Sequence, residues 1–236
     1  MELAVVGTGH VGAVTCAALS ALGHRVVGTD VDAAKLDQLQ RGVPPFHEPG
    51  FGELLRDEMR SGRLRFDPSF AAALGQAEVV FICVGTPPRI DGSANLVAVE
   101  SSARLVARHA PKSAVIVEKS TVIVGTAGRL RPVLDRARPD HRFEIVSNPE
   151  FLREGTAVRD AMSPDRILVG SDSDRGFEVM RQVYAPLVQG GVQLIETDVQ
   201  TAELAKHASN AFLALKISFV NAMARVCELA GADVEG

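Results

Sequence analysis

The sequence predicts an α/β fold: a doubly wound, mostly parallel sheet followed by one long α-helix. Short β-rich runs alternate with longer helical patterns through the first 197 residues, which is typical of a sheet covered by helices. A glycine-rich turn follows the first β-rich run and opens a helical pattern. Residues 198–230 contain neither glycine nor proline, as expected of one uninterrupted helix.

The β-rich runs locate seven strands. They lie at residues 3–6, 25–29, 79–84, 114–117, 143–146, 167–169 and 192–195. Two of them, 79–84 and 114–117, are apolar without alternation, as expected of strands buried on both faces. Helices should therefore cover both faces of the sheet.

Composition limits the function without identifying it. The chain has 236 residues, of which 46% are hydrophobic and 23% charged, enough for one or two domains with a sizeable core. A net charge of -4 gives no electrostatic basis for binding nucleic acid or an anionic membrane. No basic signal region opens the chain, and no apolar run approaches the roughly 20 residues that span a bilayer. We expect a cytoplasmic protein without a membrane or nucleic-acid partner.

The cysteines suggest reduced thiols. Cys16, Cys83 and Cys227 form no CxxC pair and lie among apolar neighbours, so we expect packed, unreactive side chains. We assign no cysteine as a nucleophile and no metal site.

The first turn has the sequence GTGHVG at residues 7–12, which fits a Rossmann-like G-x-G-x-x-G fingerprint. Gly7 permits the tight turn, Gly9 lets the backbone approach a pyrophosphate, and Gly12 permits close helix packing. With Val11, these residues form the predicted phosphate-binding turn at a helix N-terminus. The alternative is a purely structural glycine turn.

Asp30 strengthens the dinucleotide interpretation. It ends the second predicted strand, 18 residues beyond Gly12, where a carboxylate accepts hydrogen bonds from an adenine ribose. That carboxylate would repel a 2′-phosphate, so NAD is favoured over NADP. Lys35 is the nearby basic group that could offset this preference, or it is a charge on a helix surface.

Two further segments leave the carboxyl ends of predicted strands, where ligands bind in open α/β sheets. Thr86 comes directly after the strand at 79–84, and we expect it to contact the ligand, although a plain connecting loop is the alternative. Thr121 occupies the equivalent place after 114–117. Its alternative role is the N-cap of the following helix.

Residues 148–155, NPEFLREG, set two carboxylates four residues apart just after a strand. On a helical turn, Glu150 and Glu154 would share a face and repel each other by a few tenths of a kcal/mol. A solvated surface turn with Arg153 as counter-ion is one interpretation. A functional pair of carboxylates is the other.

Asp198 is a suitable N-cap and Gly231 a suitable stop for the long helix, which would be about 50 Å long. We divide the chain into a cofactor domain, 1–197, and the start of a long helix, 198–236. Lys206 and Asn210 share one helix face, as functional groups or as a solvated stripe, and His207 should point elsewhere, to the surface or an interface. An apolar stripe would favour pairing with another chain; it contains Phe212, Leu215, Phe219 and Val226.

Taken in order, these motifs resemble the UDP-glucose/GDP-mannose dehydrogenase family. The resemblance covers essentially the whole chain and includes Asp30. It rests on GTGHVG (7–12), GTPP with DGSANL (85–96), EKSTV (118–122), NPEFLREG (148–155), SPDRILVG (163–170) and TAELAKHASNAFLALKISFVNAM (201–223). Arg166 looks more like the UDP-glucose members than the GDP-mannose members.

The resemblance implies a four-electron oxidation of a nucleotide sugar's C6 alcohol to a carboxylate, using two NAD and a cysteine thioester. Glu150 would be the general base that activates water. Thr121 and Glu154 would lie near that water and the nicotinamide. Lys206 would stabilise negative charge on the sugar oxygen, and Asn210 would orient the reacting oxygens. The residues expected to line the UDP-sugar are Glu150, Phe151, Leu152, Arg153, Glu154, Lys206 and Asn210.

The chain also departs from the family pattern. His10, Ile123 and Ala222 stand where Tyr, Pro and Glu are usual, and the cysteine-bearing GGxCxPKD segment is absent. We therefore expect the NAD-binding half of such an enzyme, forming a homodimer through its long helix. The alternatives are a stand-alone NAD-binding module that pairs through this helix, or GDP-mannose specificity. NPEFLREG argues against a hydroxyacid dehydrogenase.

Overall fold

A computed structural model describes residues 1–235 and contains one eight-stranded sheet. Gly236, the last residue of the predicted second unit, lies outside the described residues. The strands are β1 Glu2–Val6, β2 Arg25–Thr29, β3 Leu64–Phe66, β4 Val79–Ile82, β5 Val115–Glu118, β6 Glu144–Ser147, β7 Arg166–Ser171 and β8 Gln193–Thr197. The helices are α1 His10–Ala21, α2 Ala33–Gln40, α3 Phe51–Arg60, α4 Phe70–Leu74, α5 Val97–His109, α6 Thr126–Ala137, α7 Ala157–Met162, α8 Asp174–Val183, α9 Ala185–Gln189 and α10 Val199–Ala230.

The sheet confirms the predicted doubly wound, mostly parallel fold. Its strand order is β3-β2-β1-β4-β5-β6-β7-β8, and every neighbouring pair is parallel except β6 and β7. The chain reverses its winding direction between β1 and β4. In such sheets this switch point opens a ligand crevice beyond the carboxyl ends of the strands.

The central strands β4 and β5 are buried on both faces, as their unbroken apolar runs predict. Two apolar clusters form the core, one on each side of the sheet. Phe81 of β4 packs into the cluster that includes α1, α3 and α8, whereas its neighbour Ile82 packs into the cluster that includes α5 and α6. The alternating sides of successive strand residues produce this division.

The strand β3 was not predicted. It has only three residues, and the middle one, Arg65, is exposed, so its sequence carries too short a pattern to recognise. Its partner is β2, where Gly28 has room only for hydrogen: a Cβ there would lie 2.6 Å from the Phe66 ring. Contact across the sheet therefore specifies this edge strand.

The long helix α10 begins and ends where the sequence predicts. The Asp198 carboxylate accepts a hydrogen bond from the Thr201 N–H at 2.8 Å, and Gly231 ends the helix in a left-handed conformation with φ of +71°. Its first turns pack against β7, but residues 211–223 are all exposed, so α10 leaves the sheet domain. The division at 197/198 stays a prediction. No helix within residues 1–235 has both the length and the apolarity to cross a membrane.

Candidate active site

The glycine turn between β1 and α1 leaves a cradle for an anion. A Cβ on Gly7, whose φ is +92°, would lie 2.7 Å from the Cys83 carbonyl oxygen, and one on Gly12 would lie 1.8 Å from the Gly7 carbonyl oxygen. The Cβ direction of Gly9 is open, with nothing within 4 Å. Gly9 is the N-cap and supplies no side-chain acceptor, so the first N–H groups of α1 are available to a phosphate. Val11 is half-buried in this first turn.

Asp30 faces this turn from the end of β2. Its Oδ2 accepts hydrogen bonds from the Thr8 N–H at 2.7 Å and the Lys35 Nζ at 3.1 Å, and its Oδ1 accepts one from the Asp32 N–H at 3.0 Å. Burial would raise the pKa of Asp30, but these donors outweigh burial and lower it. A carboxylate has about four acceptor positions, so Oδ1 can also receive a ribose hydroxyl.

A cavity of about 250 Å³ lies beside Gly7 and Asp30, between the end of β1, the loop after β4, and α5. The cavity, the acceptor and the glycine cradle together fit an adenosine and its pyrophosphate. The Lys35 ammonium pairs with the Asp30 carboxylate, so each largely neutralises the charge of the other.

Thr86 and Thr121 are brought together. The Thr86 hydroxyl donates a hydrogen bond of 2.7 Å to the Thr121 carbonyl oxygen, which joins the loops that follow β4 and β5. The alternative capping role of Thr121 is wrong, because α6 begins at Thr126 with Gly125 as its N-cap. A side chain from α10 caps α6 instead: the Glu203 carboxylate accepts hydrogen bonds from the N–H groups of Gly125 and Ala127.

Glu150 and Lys206 form a buried ion pair. The Lys206 Nζ lies 2.9 Å from Glu150 Oε1, and the two side chains are only 8% and 11% exposed. The other Glu150 oxygen accepts a hydrogen bond from the Leu152 N–H at 2.6 Å. The alternative of a solvated stripe is therefore wrong for Lys206, although Asn210, one turn further along α10, is exposed.

Phe151 extends this cluster. Its ring centroid lies 5.5 Å from the Lys206 Nζ and 4.9 Å from the Arg166 guanidinium, distances at which a cation is attracted to the face of an aromatic ring. A cavity of about 480 Å³ lies against Glu150, Phe151 and Arg166. It is large enough for a small-molecule ligand.

The helical turn considered for Glu150 and Glu154 is absent. Residues 148–153 have no regular secondary structure, and α7 begins only at Ala157. Pro149 favours an extended conformation of Asn148, and the Leu152 N–H donates to the Glu150 side chain rather than to a helical carbonyl. Arg153 does not neutralise either glutamate, since it pairs with Asp160 at 2.6 Å and lowers the pKa of Asp160 to about 2. Glu154 is exposed, and within residues 1–235 its carboxylate has no hydrogen bond or ion pair.

A buried amide fixes the start of this segment. Asn148 is 1% exposed; its Oδ1 accepts hydrogen bonds from the Lys119 Nζ at 3.1 Å and the Tyr184 hydroxyl at 2.6 Å. Its Nδ2 donates to the Leu168 carbonyl oxygen at 2.8 Å. With its side chain held at three points, Asn148 sets the direction in which the chain proceeds to Glu150.

Sequence reasoning also missed three contacts made by other residues. His207 is half-buried and bonds to the Val122 carbonyl oxygen, so it is not a freely solvated surface residue, and its assignment to an interface stays a prediction. Glu203 caps α6, as described above. Glu48, in the loop between α2 and α3, accepts hydrogen bonds from the N–H groups of Gly155 and Ala157. The signal for Glu48 is weak: a carboxylate within a turn-rich EPG tripeptide.

Two cysteines are confirmed as packed thiols. Cys16 and Cys83 are buried, and burial raises the pKa of both, that of Cys83 to about 12. Their thiols stay protonated at neutral pH. Cys227 is partly exposed on the outer part of α10.

Comparison with known protein families shows to which family this chain belongs. Residues 1–188 match the UDP-glucose/GDP-mannose dehydrogenase family, NAD binding domain, and residues 200–236 match its central domain. The chain belongs to the UDP-glucose/GDP-mannose dehydrogenase family. This membership confirms the resemblance seen in the motifs, and the matched domain confirms NAD as the cofactor. Its place at the turn that contains Gly7 stays a prediction.

Curated family members are similar over the whole chain. UDP-glucose 6-dehydrogenase YwqF of Bacillus subtilis is 41% identical over 236 residues, which are 100% of this chain and 53% of the relative. The UDP-glucose 6-dehydrogenase of Pseudomonas aeruginosa is 43% identical over 239 residues, again covering 100% of this chain and 53% of the relative. The chain thus spans about half the length of these relatives.

Solved structures of the family have the same fold. A UDP-glucose dehydrogenase from Pyrobaculum islandicum superposes with a TM-score of 0.94 at 40% identity, covering 99% of this chain and 54% of the other. A GDP-mannose dehydrogenase from Pseudomonas aeruginosa, in a ternary complex, superposes with a TM-score of 0.95 at 31% identity. The match covers 100% of this chain and 55% of the other.

Proposed function

We propose that this chain is the NAD-binding half of an enzyme that oxidises the C6 alcohol of UDP-glucose to the carboxylate of UDP-glucuronate. The observation that carries the proposal is the buried pair of Glu150 and Lys206, 2.9 Å apart, on segments that follow the carboxyl ends of β6 and β8. Identities of 41% and 43% to UDP-glucose 6-dehydrogenases favour this substrate.

Glu150 and Lys206 have chemically complementary roles in this proposal. A buried ammonium stabilises an oxyanion more strongly than a solvated one, because little water screens it. Lys206 therefore favours negative charge on the sugar oxygen, while Glu150 positions the attacking water and takes its proton. NAD, when bound at the α1 turn, would supply the hydride acceptor for the oxidation.

The other predicted residues also have roles in this proposal. We assign Asn210 to orienting the reacting oxygens, and Thr121 and Glu154 to the water and the nicotinamide. Glu154 is free of internal partners within residues 1–235, so its carboxylate is available to a ligand. The expected sugar contacts are Phe151, Leu152 and Arg153.

Turnover by this chain alone is not expected. The proposed chemistry requires a cysteine thiolate, and the two buried cysteines have raised pKa values. Cys227 lies on α10, more than five turns beyond Lys206 at 3.6 residues per turn. We propose that the nucleophile lies in the half of the enzyme that this chain does not include.

Isothermal titration calorimetry with NAD, NADP and UDP-glucose, combined with an assay for NADH, tests the proposal. We expect NAD to bind without NADH production, and D30A to weaken NAD binding. Loss of the charge-assisted bond from Asp30 to the ribose should cost about tenfold or more in affinity. The control E53Q alters an exposed carboxylate on α3 and should bind normally. Equal affinity of D30A and wild type would contradict the cofactor assignment, and NADH production would contradict the half-enzyme assignment.

Two alternatives have their own support. The many exposed apolar side chains of α10 fit a stand-alone NAD-binding module that pairs through this helix. The TM-score of 0.95 with a GDP-mannose dehydrogenase fits GDP-mannose specificity. Supplying a second half of the enzyme separates them: glucuronate from UDP-glucose supports our proposal, oxidation of GDP-mannose supports the second alternative, and no product supports the first. The cytoplasmic location stays a prediction.

A further inference from the structure

Glu48 connects the cofactor turn to the segment that carries Glu150 and Glu154. Its side chain is completely buried. Oε2 accepts a hydrogen bond from the Gly155 N–H and Oε1 accepts one from the Ala157 N–H, both at 2.9 Å. Gly155 directly follows Glu154, and Ala157 begins α7, so Glu48 fixes the chain at the point where this segment ends.

The same carboxylate also contacts the cofactor turn. Glu48 Oε2 lies 2.9 Å from His10 Nε2, and His10 is the first residue of α1. Phe46 holds the imidazole from the side, with ring centroids 4.7 Å apart in an edge-on arrangement. Phe46 in turn stacks on the buried Phe51 at 5.0 Å. The position of His10 is therefore determined by both Glu48 and Phe46.

Because the Glu48 side chain is buried, breaking its contact with His10 costs free energy. Burial would raise the pKa of Glu48, but hydrogen bonds from Gly155, His10 and Ala157 outweigh it and lower the pKa. A buried carboxylate that loses one of its donors pays a desolvation penalty. A displacement of His10 must therefore either break the bond to Glu48 or move Glu48 together with Gly155.

We propose that Glu48 is a positioning residue that, through His10, couples dinucleotide binding at the α1 turn to the conformation of residues 150–157. It touches neither proposed reacting group directly. When the pyrophosphate occupies the α1 N-terminus, it immobilises His10, and Glu48 transfers that constraint to the N–H groups of Gly155 and Ala157. The substrate segment is thus better ordered when NAD is bound.

This inference rests on the proposed function, because it requires NAD at the turn. The test measures amide hydrogen exchange at Gly155 and Ala157 by NMR in this chain, with and without saturating NAD. Coupling free energies between sites typically correspond to factors of 5 to 150, so we expect NAD to slow exchange at both amides about fivefold or more.

Two variants separate coupling from simple support of the fold. H10F keeps a ring against Phe46 but removes the nitrogen that contacts Glu48. Exchange without NAD should accelerate because Glu48 loses a donor, and the ratio of the exchange rates without and with NAD should fall to about one. E48Q places an amide NH₂ where a second acceptor is needed, so exchange without NAD should accelerate and the effect of NAD should also be lost. E53Q, a Glu→Gln change at an exposed site on α3, is the control and should behave as wild type.

The outcomes are distinct when NAD affinity is measured on the same samples by calorimetry. A merely structural role of Glu48 predicts that NAD slows exchange equally in wild type and H10F, and this result would overturn the inference. NAD binding with no change at the two amides in wild type would also overturn it, while leaving the proposed function intact. Failure of wild type to bind NAD would overturn the proposed function and this inference together.

Discussion

Three buried glutamates near the carboxyl edge of the sheet are stabilised in different ways. Glu150 has an ammonium partner in Lys206, and Glu48 has N–H donors and an imidazole. Glu118, at the end of β5, has only the Ser120 N–H on Oε1 at 2.8 Å. Within residues 1–235 its Oε2 has no hydrogen-bond partner. A carboxyl group so poorly solvated is more stable with its proton than without it.

Glu118 should make the fold less stable as the pH rises. Burial raises the pKa of Glu118 from its ordinary value of 4.5 to about 8, and the nearby Glu203 adds to this. Between these values the folded chain holds a proton that the unfolded chain has released, so raising the pH favours unfolding. The contribution of Glu118 is a loss of about 1.4 kcal/mol per pH unit, mainly between pH 5 and pH 8.

Urea unfolding of E118Q and wild type across this range tests the prediction. As the pH rises from 5 to 8, the free energy of unfolding of wild type should fall relative to that of E118Q, because glutamine has no proton to lose. E53Q, on exposed α3, should follow wild type at every pH. Parallel curves for E118Q and wild type would show that the Glu118 carboxyl is not held in its neutral form.

At the scale of elements, the base of α10 is fixed to three neighbours. Glu203 caps α6, Lys206 pairs with Glu150, and His207 bonds to the loop after β5. The helix also lies directly on β7, where a Cβ on Gly170 would come within 2.5 Å of the Ala202 Cβ and 2.8 Å of the Asp198 carbonyl oxygen. The placement of Lys206 thus depends on the absence of a side chain at position 170.

A pair of Gly→Ala variants tests this close approach. G170A should destabilise the chain by about 1 to 3 kcal/mol, because β7 and α10 must separate to admit a methyl group. G128A is the matched control: it lies within α6 with nothing within 4 Å of its Cβ direction, so it should be neutral or stabilise by up to about 1 kcal/mol. Thermal unfolding measures both, and equal effects would contradict the packing.

Local patterns account for the elements that sequence predicts well. The glycine turn, the apolar runs of β4 and β5, and the Asp198 and Gly231 ends of α10 are each encoded within a few consecutive residues. Glu48 and Glu203 were missed because their partners lie 107 and 78 residues away, and no local pattern reports such contacts. The bond between Glu150 and Lys206 has the same long-range character; only the family resemblance placed these two residues in one site.

At the scale of the whole molecule, α10 exposes a long apolar surface. Beyond Asn210 it carries exposed Phe212, Leu215, Phe219 and Val226, the stripe noted in the sequence. Leu213, Ile217 and Val220 are also more than half exposed, so the apolar surface is broader than one stripe. An exposed patch of this size marks an interaction site. In the predicted homodimer, a second copy of this chain covers it.

Sedimentation equilibrium of the chain tests pairing through α10. We expect a dimer for wild type and a shift to monomer for F219D, because a charge placed in an apolar interface must lose its water without gaining a partner. V31D is the control, since Val31 is an exposed apolar residue in the loop after β2 and outside α10, and it should stay dimeric. NAD affinity of F219D should equal that of wild type, because Phe219 lies more than three turns of helix beyond Lys206. A dimer that persists in F219D would place the contact on another face, and a monomeric wild type would contradict pairing of two copies through this surface.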